Sequence, residues 1–515
     1  MSFTSPEFLL FFTGLLLLYY LLPKKCQWVL LLAASCGFYL CGGVSAIGYL
    51  LFAVLTTYVA GRLLGVLNAR LRALSPEEKK TRKKGIDRRK KAVVLVVCLL
   101  NFGLLFVLKY ASFVLDAVGF SGVLGELVLP LGISFFIFQS VGYVVDCYRG
   151  KVTPQENFAK YALFVSFFPQ LTQGPIGRYD ALAPQLTAEH PLDWENLRSG
   201  LWLMLWGYLK KLVIAERTAP LVQKIFGAPD SFSGALLLVG VLGYCVQLYC
   251  DFSGGIDIVR GAAECLGIEM AENFRRPIFA KSLAEYWRRW HISLGGWMRD
   301  YVFYPLALSK PFRALGGFAR KHFKGTLGKI FATSMATFVV YFLIGIWHGA
   351  NFRYLAFGAY NGVLITAALL IEPFMVKVRA RLPIRWDGTA WQLVQMLRTG
   401  LLVLVGRYIT RAPRFLVAVR MLLRTVTELH PGSLLGGTLL GLGMSAADWI
   451  VVLCGLGVIF AVELYQERGG KMRQWVCSRS APVQTALTLA MLLAVLFLGA
   501  FSQGYTGAGF IYAQY

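Results

Sequence analysis

Apolar runs dominate the chain, beginning with Phe8 to Leu22. Further runs lie near 27–41, 44–67, 92–115, 127–145, 158–172, 199–216, 233–252, 326–349, 352–372, 393–409, 447–465 and 482–501. A helix that crosses a bilayer needs about 20 predominantly apolar residues. Several runs reach that length; others are short or carry polar residues, as re-entrant and interfacial segments do. The pattern predicts an all-α, polytopic integral membrane protein of about 10–13 spans. The first run has only Glu7 before it and ends at Pro23-Lys24-Lys25, so it reads as a retained span with its N-terminus outside rather than a secretory signal.

Between the runs lie basic stretches: a charged loop at 70–91, then 275–324 and 467–479. Lys and Arg concentrate in cytoplasmic loops, so these three are expected inside. Arg407, Arg411, Arg414, Arg420 and Arg424 break the rule, because strict alternation of spans places them outside. The expectation there is an amphipathic cytoplasmic helix. No internal repeat and no linker appears, so residues 1–515 are expected to form a single membrane domain.

Composition agrees with the pattern. Hydrophobic residues make up 57% and charged residues 15%, against about 25% charged in an ordinary soluble domain. This excludes disorder, a fibrous repeat and a simple soluble enzyme. The formal net charge of +25 reads as positive-inside topology, since no nucleic-acid module is present. The 10 cysteines show no CxxC or Cys/His spacing. Cys36, Cys98, Cys245 and Cys454 sit in apolar runs and are expected to be small core residues. No phosphate-loop, dinucleotide, zinc-protease or serine-elbow pattern stands in a usable context.

Three of the five histidines, His190, His322 and His430, lie in polar loops and are expected at the surface. His348 lies in an apolar stretch, Tyr341 to Phe352, between Gly345 and Gly349. An ionisable residue at membrane depth is costly and marks a cavity or reaction path, or else is bonded to a neighbouring helix. His291 lies in Tyr286-Trp287-Arg288-Arg289-Trp290-His291-Ile292-Ser293-Leu294. On a helix it shares a face with Trp287, while Glu285 and Arg289 stand at ion-pair spacing. An aromatic, basic interfacial helix would have the same spacing. The stretch Gln247 to Asp257 holds Asp251, Asp257 and a Gly254-Gly255 pair after an apolar run, which predicts irregular backbone around a cavity, or simply a helix end at the interface. Phe168 to Arg178 carries two prolines and two glycines that break the helix, with Arg178 available to an anion; an ordinary loop reads the same way.

These segments, in this order, resemble the membrane-bound O-acyltransferase family, most closely its bacterial branch of alginate O-acetylation and teichoic-acid D-alanylation proteins. The resemblance rests on Leu129-Pro130-Leu131-Gly132-Ile133-Ser134-Phe135-Phe136, Phe168-Pro169-Gln170 with Gly174-Pro175-Ile176, Asp251-Phe252-Ser253-Gly254, Glu272-Asn273-Phe274, Tyr286 to Leu294, and Trp347-His348-Gly349-Ala350. It covers about residues 128–372, leaving N-terminal spans in 1–127 and C-terminal spans in 373–515. The ending Phe510 to Tyr515 looks like that of the alginate-type branch. Two positions depart from the family pattern: Gly255 stands where Tyr is usual and Gly295 where Ser is frequent.

The resemblance implies a helical bundle around a central tunnel in a bacterial plasma membrane. His348 matches the catalytic histidine and His291 the second active-site position. Candidate substrate contacts are Trp347, Asn351, Arg288, Arg289, Trp287, Tyr249, Asp251, Ser253, Gln170 and Arg178. No bound cofactor or metal is implied. The donor would be acetyl-CoA, or alternatively a D-alanyl-loaded carrier protein, and the acceptor an exported polysaccharide, reached directly or through an extracytoplasmic acyltransferase partner. The chemistry suits histidine: an acyl group moves from a thioester to a hydroxyl once a base takes the hydroxyl proton, the role of His348. His291 would orient the acceptor or stabilise the oxyanion. A non-catalytic polysaccharide exporter is the alternative of another class.

Overall fold

The computed structural model describes every residue except 42, 121–129, 131, 384, 436 and 502–515. Leu129 and Leu131 of the first matching motif, and the Phe510–Tyr515 ending, therefore lie outside the described residues. Among the described residues the regular elements are helices, and eight of them are long and apolar enough to cross a membrane. Several apolar runs form something shorter. The run at 27–41 makes the 14-residue helix Gln27–Leu40, and that at 158–172 makes the 9-residue helix Phe158–Ser166. The run at 127–145 yields the 17-residue helix Ile133–Arg149, which is buried on nearly all sides. A helix that is hydrophobic all round is a core element, and length alone cannot tell it from a span.

The described chain divides into two compact units, the first formed by Met1–Gly207 with Gly255–Ala271 and the second by Tyr208–Gly254 with the described residues from Glu272 to 501. In the first unit, 70–91 is not a loop. The helix Val44–Ala73 ends one turn before Pro76–Ala117 begins, and Ser75 with Glu78 forms a reciprocal cap over Pro76 at the first helical position. Such a cap satisfies two free amides and starts a helix even in a highly charged sequence. Also in this unit Gly200 and Gly261 allow two helices to meet: a Cβ on Gly200 would stand 2.6 Å from the Gly261 carbonyl oxygen.

The Gly254-Gly255 pair does not break its helix. Gly234–Cys265 runs through it for 32 residues. The glycine is needed for packing instead, since a Cβ on Gly255 would lie 2.7 Å from Gln173 Oε1. The prolines and glycines of 168–178 do interrupt the chain, leaving the single turn Phe168–Leu171 and irregular backbone after it.

In the second unit the helices Thr326–His348, Phe352–Arg381 and Thr389–Arg411 follow one another with short connections. Gly345 and Gly358 bring the first two into backbone contact; a Cβ on Gly345 would be 2.7 Å from Gly358 Cα. Arg407 and Arg411 belong to the third of these spans, and Arg407 is buried. Only the segment beyond Arg411 forms the amphipathic helix expected there, Phe415–Thr427. Cys36 and Cys454 lie exposed on their helices rather than in the core, because an apolar face in a membrane protein can face lipid; all 10 cysteines are free.

Candidate active site

The site is built around a tight turn in the second unit. The helix Leu283–Arg289 is started by Ser282, whose hydroxyl accepts from the Glu285 amide. It stops before His291. Trp290 is extended, and His291 takes the left-handed conformation at φ 48° and ψ 53°. Trp287 and His291 therefore do not share a helix face as their spacing suggested. A non-glycine residue in this region costs about 1–3 kcal/mol and persists only where its surroundings fix it. Here an antiparallel bridge pairs Phe274 with Trp290, flanked by Arg275 N–H to Arg289 O at 2.8 Å and Ile292 N–H to Asn273 O at 3.0 Å.

Asn273 holds the turn from its side chain. Its Oδ1 accepts from the Ser293 amide at 3.0 Å and the Ser293 hydroxyl at 2.9 Å, and lies 3.3 Å from His291 Nδ1. A backbone N–H can only donate, so the atom facing it is the oxygen. His291 Nδ1 must then carry the ring proton, which leaves the lone pair on Nε2. His291 is 3% exposed, lies outside the eight spans, and burial pushes its pKa down to about 3. It is neutral at physiological pH.

Phe252 stands edge-on against His291, with ring centroids 4.9 Å apart, and also packs on Phe274 and Trp290. Trp347 is the bridge to the second histidine: its ring lies 6.1 Å from that of His291 and 5.0 Å from that of His348. His348 is the last residue of Thr326–His348 and is buried. Tyr354 stacks on it at 6.1 Å, and Phe357 meets it edge-on at 5.8 Å. Gly349 is required at the next position, since a Cβ there would be 2.8 Å from the Tyr354 ring. Asn351 caps the following helix, its Oδ1 accepting from the Arg353 amide at 3.0 Å.

Other candidates are engaged in the scaffold. Trp287 Nε1 donates to Asn361 Oδ1 at 3.0 Å. Arg289 pairs with Glu285 as its spacing predicted, and also with Glu467, which Arg276 joins at 2.7 Å. Arg288 is exposed. Tyr249 donates to Glu463, and Ser253 accepts from Lys210 Nζ at 3.0 Å. Asp251 is buried against Lys211, whose ammonium also lies 3.5 Å from Glu216. Gln170 and Arg178 belong to the first unit. Gln170 is buried and donates to the Phe164 carbonyl at 2.6 Å. His322 and His430 are exposed as expected, but His190 is half-buried and bonded to Gln185 O at 2.7 Å.

Lys211, Glu216, Asn273 and Tyr354 were not among the sequence candidates. The first two carried a legible signal: a Lys-Lys pair and a Glu inside the apolar run 199–216. They sit where the helix widens into a π-helical segment, Leu209–Ala215, a distortion frequent at functional sites.

Two histidines held at an aromatic wall, one of them fixed in a neutral tautomer, are suited to moving a hydroxyl proton. Residues 124–320 match the family model described as membrane-bound O-acyltransferase. The chain is 34% identical over 433 residues to the protein named "probable alginate O-acetylase" of Azotobacter vinelandii, covering 82% of this chain and 77% of that one. It is 30% identical over 267 residues to the peptidoglycan O-acetyltransferase of Helicobacter pylori, covering 47% of each. It is 29% identical over 267 residues to the teichoic acid D-alanyltransferase of Bacillus subtilis, covering 51% of this chain and 64% of that one. The chain belongs to the membrane-bound O-acyltransferase family. It is a multi-pass membrane O-acyltransferase, not a non-catalytic exporter.

Proposed function

We propose that this enzyme takes an acetyl group from a thioester donor, acetyl-CoA, on the side of the basic loops and delivers it to a hydroxyl of an exported cell-surface polysaccharide, directly or through an extracytoplasmic acyltransferase partner. The observation that carries the reading is the pair His291 and His348 on one aromatic wall, joined through Trp347. The acetyl donor is favoured because similarity to the alginate O-acetylases extends over 82% of the chain, against 51% for the D-alanyltransferase of B. subtilis.

His348 is the base. As the acceptor oxygen attacks the thioester carbonyl, His348 takes its proton; the C–S bond breaks, and the proton passes to the departing thiolate. The ester and a free thiol result, with no net change in protons. His291, neutral with its lone pair on Nε2, accepts a hydrogen bond from a second hydroxyl of the acceptor and so aims the reacting one, whose own proton goes to His348; of its two expected roles the tautomer favours this one. The surrounding Phe252, Trp347, Tyr354 and Phe357 restrict water, which limits hydrolysis of the thioester. His348→Ala tests the reading: it should abolish ester formation while the protein still accumulates in the membrane. D-alanyl transfer from a carrier protein is the second reading, and the identity of the released acid separates the two.

A further inference from the structure

The helix Lys310–His322 leads by a short connection into Thr326–His348. One face packs on that neighbour: Gly316 and Ala319 are buried, and a Cβ on Gly328 would lie 3.0 Å from the Ala319 carbonyl oxygen. At 3.6 residues per turn the rest of the circumference splits in two. Lys310, Arg313, Arg320 and Lys321 fall within about 100° of one another, and all are exposed. Beside them, within about 60°, stand Pro311, Ala314 and Phe318, which are also exposed. The Phe318 ring is 54% exposed, and His322 stacks on it with ring centres 4.0 Å apart. The helix thus has a core face, an apolar flank and a basic flank, the pattern of a helix that lies in a membrane interface.

Charge narrows the partner. The sequence has no Asp or Glu from 301 to 371. Lys324 and Lys329 follow the helix and are exposed as well. None of these cations has a carboxylate partner or a side-chain hydrogen bond among the described residues; the neighbouring ion pairs along the chain are Arg299 with Asp300 and Arg379 with Glu372. By the positive-inside rule this end of Thr326–His348 is cytoplasmic. A helix of 23 residues is about 34 Å long, against a hydrocarbon core of about 30 Å, so its basic end reaches the headgroups.

We propose that the helix Lys310–His322 is a binding site for an anionic phospholipid of the cytoplasmic leaflet, whose phosphodiester meets the basic flank while an acyl chain lies along Phe318. Both parts of such a lipid find a match. Arg313 and Arg320 stand two turns apart on one flank, and guanidinium forks hold phosphate oxygens in pairs. The exposed Phe318 ring takes the hydrocarbon. A soluble phosphate makes no use of the apolar flank, and an acidic protein brings no acyl chain to it. The inference stands apart from the transferase reading, since lipid binding requires neither histidine.

The test is native mass spectrometry of the purified full-length protein in neutral detergent, titrated with phosphatidylglycerol or with phosphatidylcholine of the same acyl chains. We expect phosphatidylglycerol to bind at least about tenfold more tightly. A basic side chain near an anionic lipid surface is worth about fivefold in binding. Arg313→Gln/Arg320→Gln/Lys321→Gln should therefore weaken phosphatidylglycerol binding by roughly 100-fold and leave phosphatidylcholine unaffected. A thermal melt checks that this variant folds; if it does not, Arg313→Gln alone, expected about fivefold weaker, carries the same test. Phe318→Ser should weaken binding several-fold. Lys79→Gln/Lys80→Gln/Lys83→Gln removes equal charge from an exposed helix of the first unit and should leave the tight binding in place. Equal weakening by the two triple variants would mean that net charge alone attracts the lipid, and would overturn the proposal. So would equal binding of the two lipids, or unchanged binding in a folded basic-flank variant. Displacement of the lipid by desulfo-coenzyme A would give the surface to a soluble phosphate and overturn it as well.

Discussion

Asn273→Ala is the sharpest probe of how the site is held. The substitution removes one oxygen that accepts from three donors: the Ser293 amide at 3.0 Å, the Ser293 hydroxyl at 2.9 Å and His291 Nδ1 at 3.3 Å. Each net hydrogen bond is worth about 0.5–1.5 kcal/mol, the longest counting least, and an orphaned buried amide adds its own desolvation cost. Asn273 is fully buried, so water does not replace the lost acceptor. The expected cost is about 2–4 kcal/mol of stability. Ser293→Ala removes a single donor and should cost only about 1 kcal/mol. The functional loss should exceed the structural one, because His291 then loses the bond that fixes its tautomer and its left-handed turn. We expect kcat to fall by roughly 10- to 100-fold in Asn273→Ala, with a smaller change in KM, since the loss bears on aim rather than uniform binding. Thermal unfolding in nanodiscs and acyl transfer from a radiolabelled thioester read the two effects. If Asn273→Ala melts and turns over like the wild type, the positioning of His291 by Asn273 is wrong.

Three further outcomes follow from the same geometry. His291 is buried neutral with a pKa of about 3 against an ordinary value near 6.5, so the unfolded chain takes up a proton in a window where the folded one does not. Stability contributed by His291 should thus be lost as pH falls from about 6.5 toward 3, and the melting-temperature difference between wild type and His291→Gln should change across that window. Gly345→Ala forces a Cβ to 2.7 Å from Gly358 Cα and should destabilise the protein by about 1–3 kcal/mol while reducing transfer; normal melting and activity would contradict that packing. Glu467→Ala strands Arg276 and Arg289, whose side chains are 25% and 16% exposed, and after allowance for solvent screening should cost about 1–2 kcal/mol in a denaturant titration.

The apolar helical architecture was legible in the sequence, and the local backbone around the candidate residues was less so. His348 stood out because a histidine in an apolar run is costly, and the structure sets the Trp347 ring near both histidines. The Glu285–Arg289 pair followed from helical spacing. Three readings failed for physical reasons. The Gly254-Gly255 pair looked like a break, but glycine inside a long helix also serves close packing, and Gln173 supplies the neighbour. The turn at His291 was hidden because a left-handed residue held by Asn273, 18 positions away, has no local sequence signature. The charged segment at 70–91 looked like a loop because its polarity hides a reciprocal Ser75–Glu78 cap, which needs only four residues to be seen. The arginines from 407 onward were read as one amphipathic helix, but Arg407 and Arg411 end a long apolar helix and only the segment after them, Phe415–Thr427, forms a separate one, a boundary that a run of evenly spaced arginines does not display.

The central claim is that His348 drives acyl transfer to a cell-surface polymer, and the most direct measurement compares wild type with His348→Ala in a strain lacking the native gene. Washed envelopes are treated with mild base, and the released acids are identified by mass spectrometry. Acetate is expected from the wild type and none above background from His348→Ala, with equal amounts of both proteins in the membrane. D-alanine in place of acetate would move the enzyme to the second reading while keeping the role of His348. Equal ester release from His348→Ala and wild type would contradict the account.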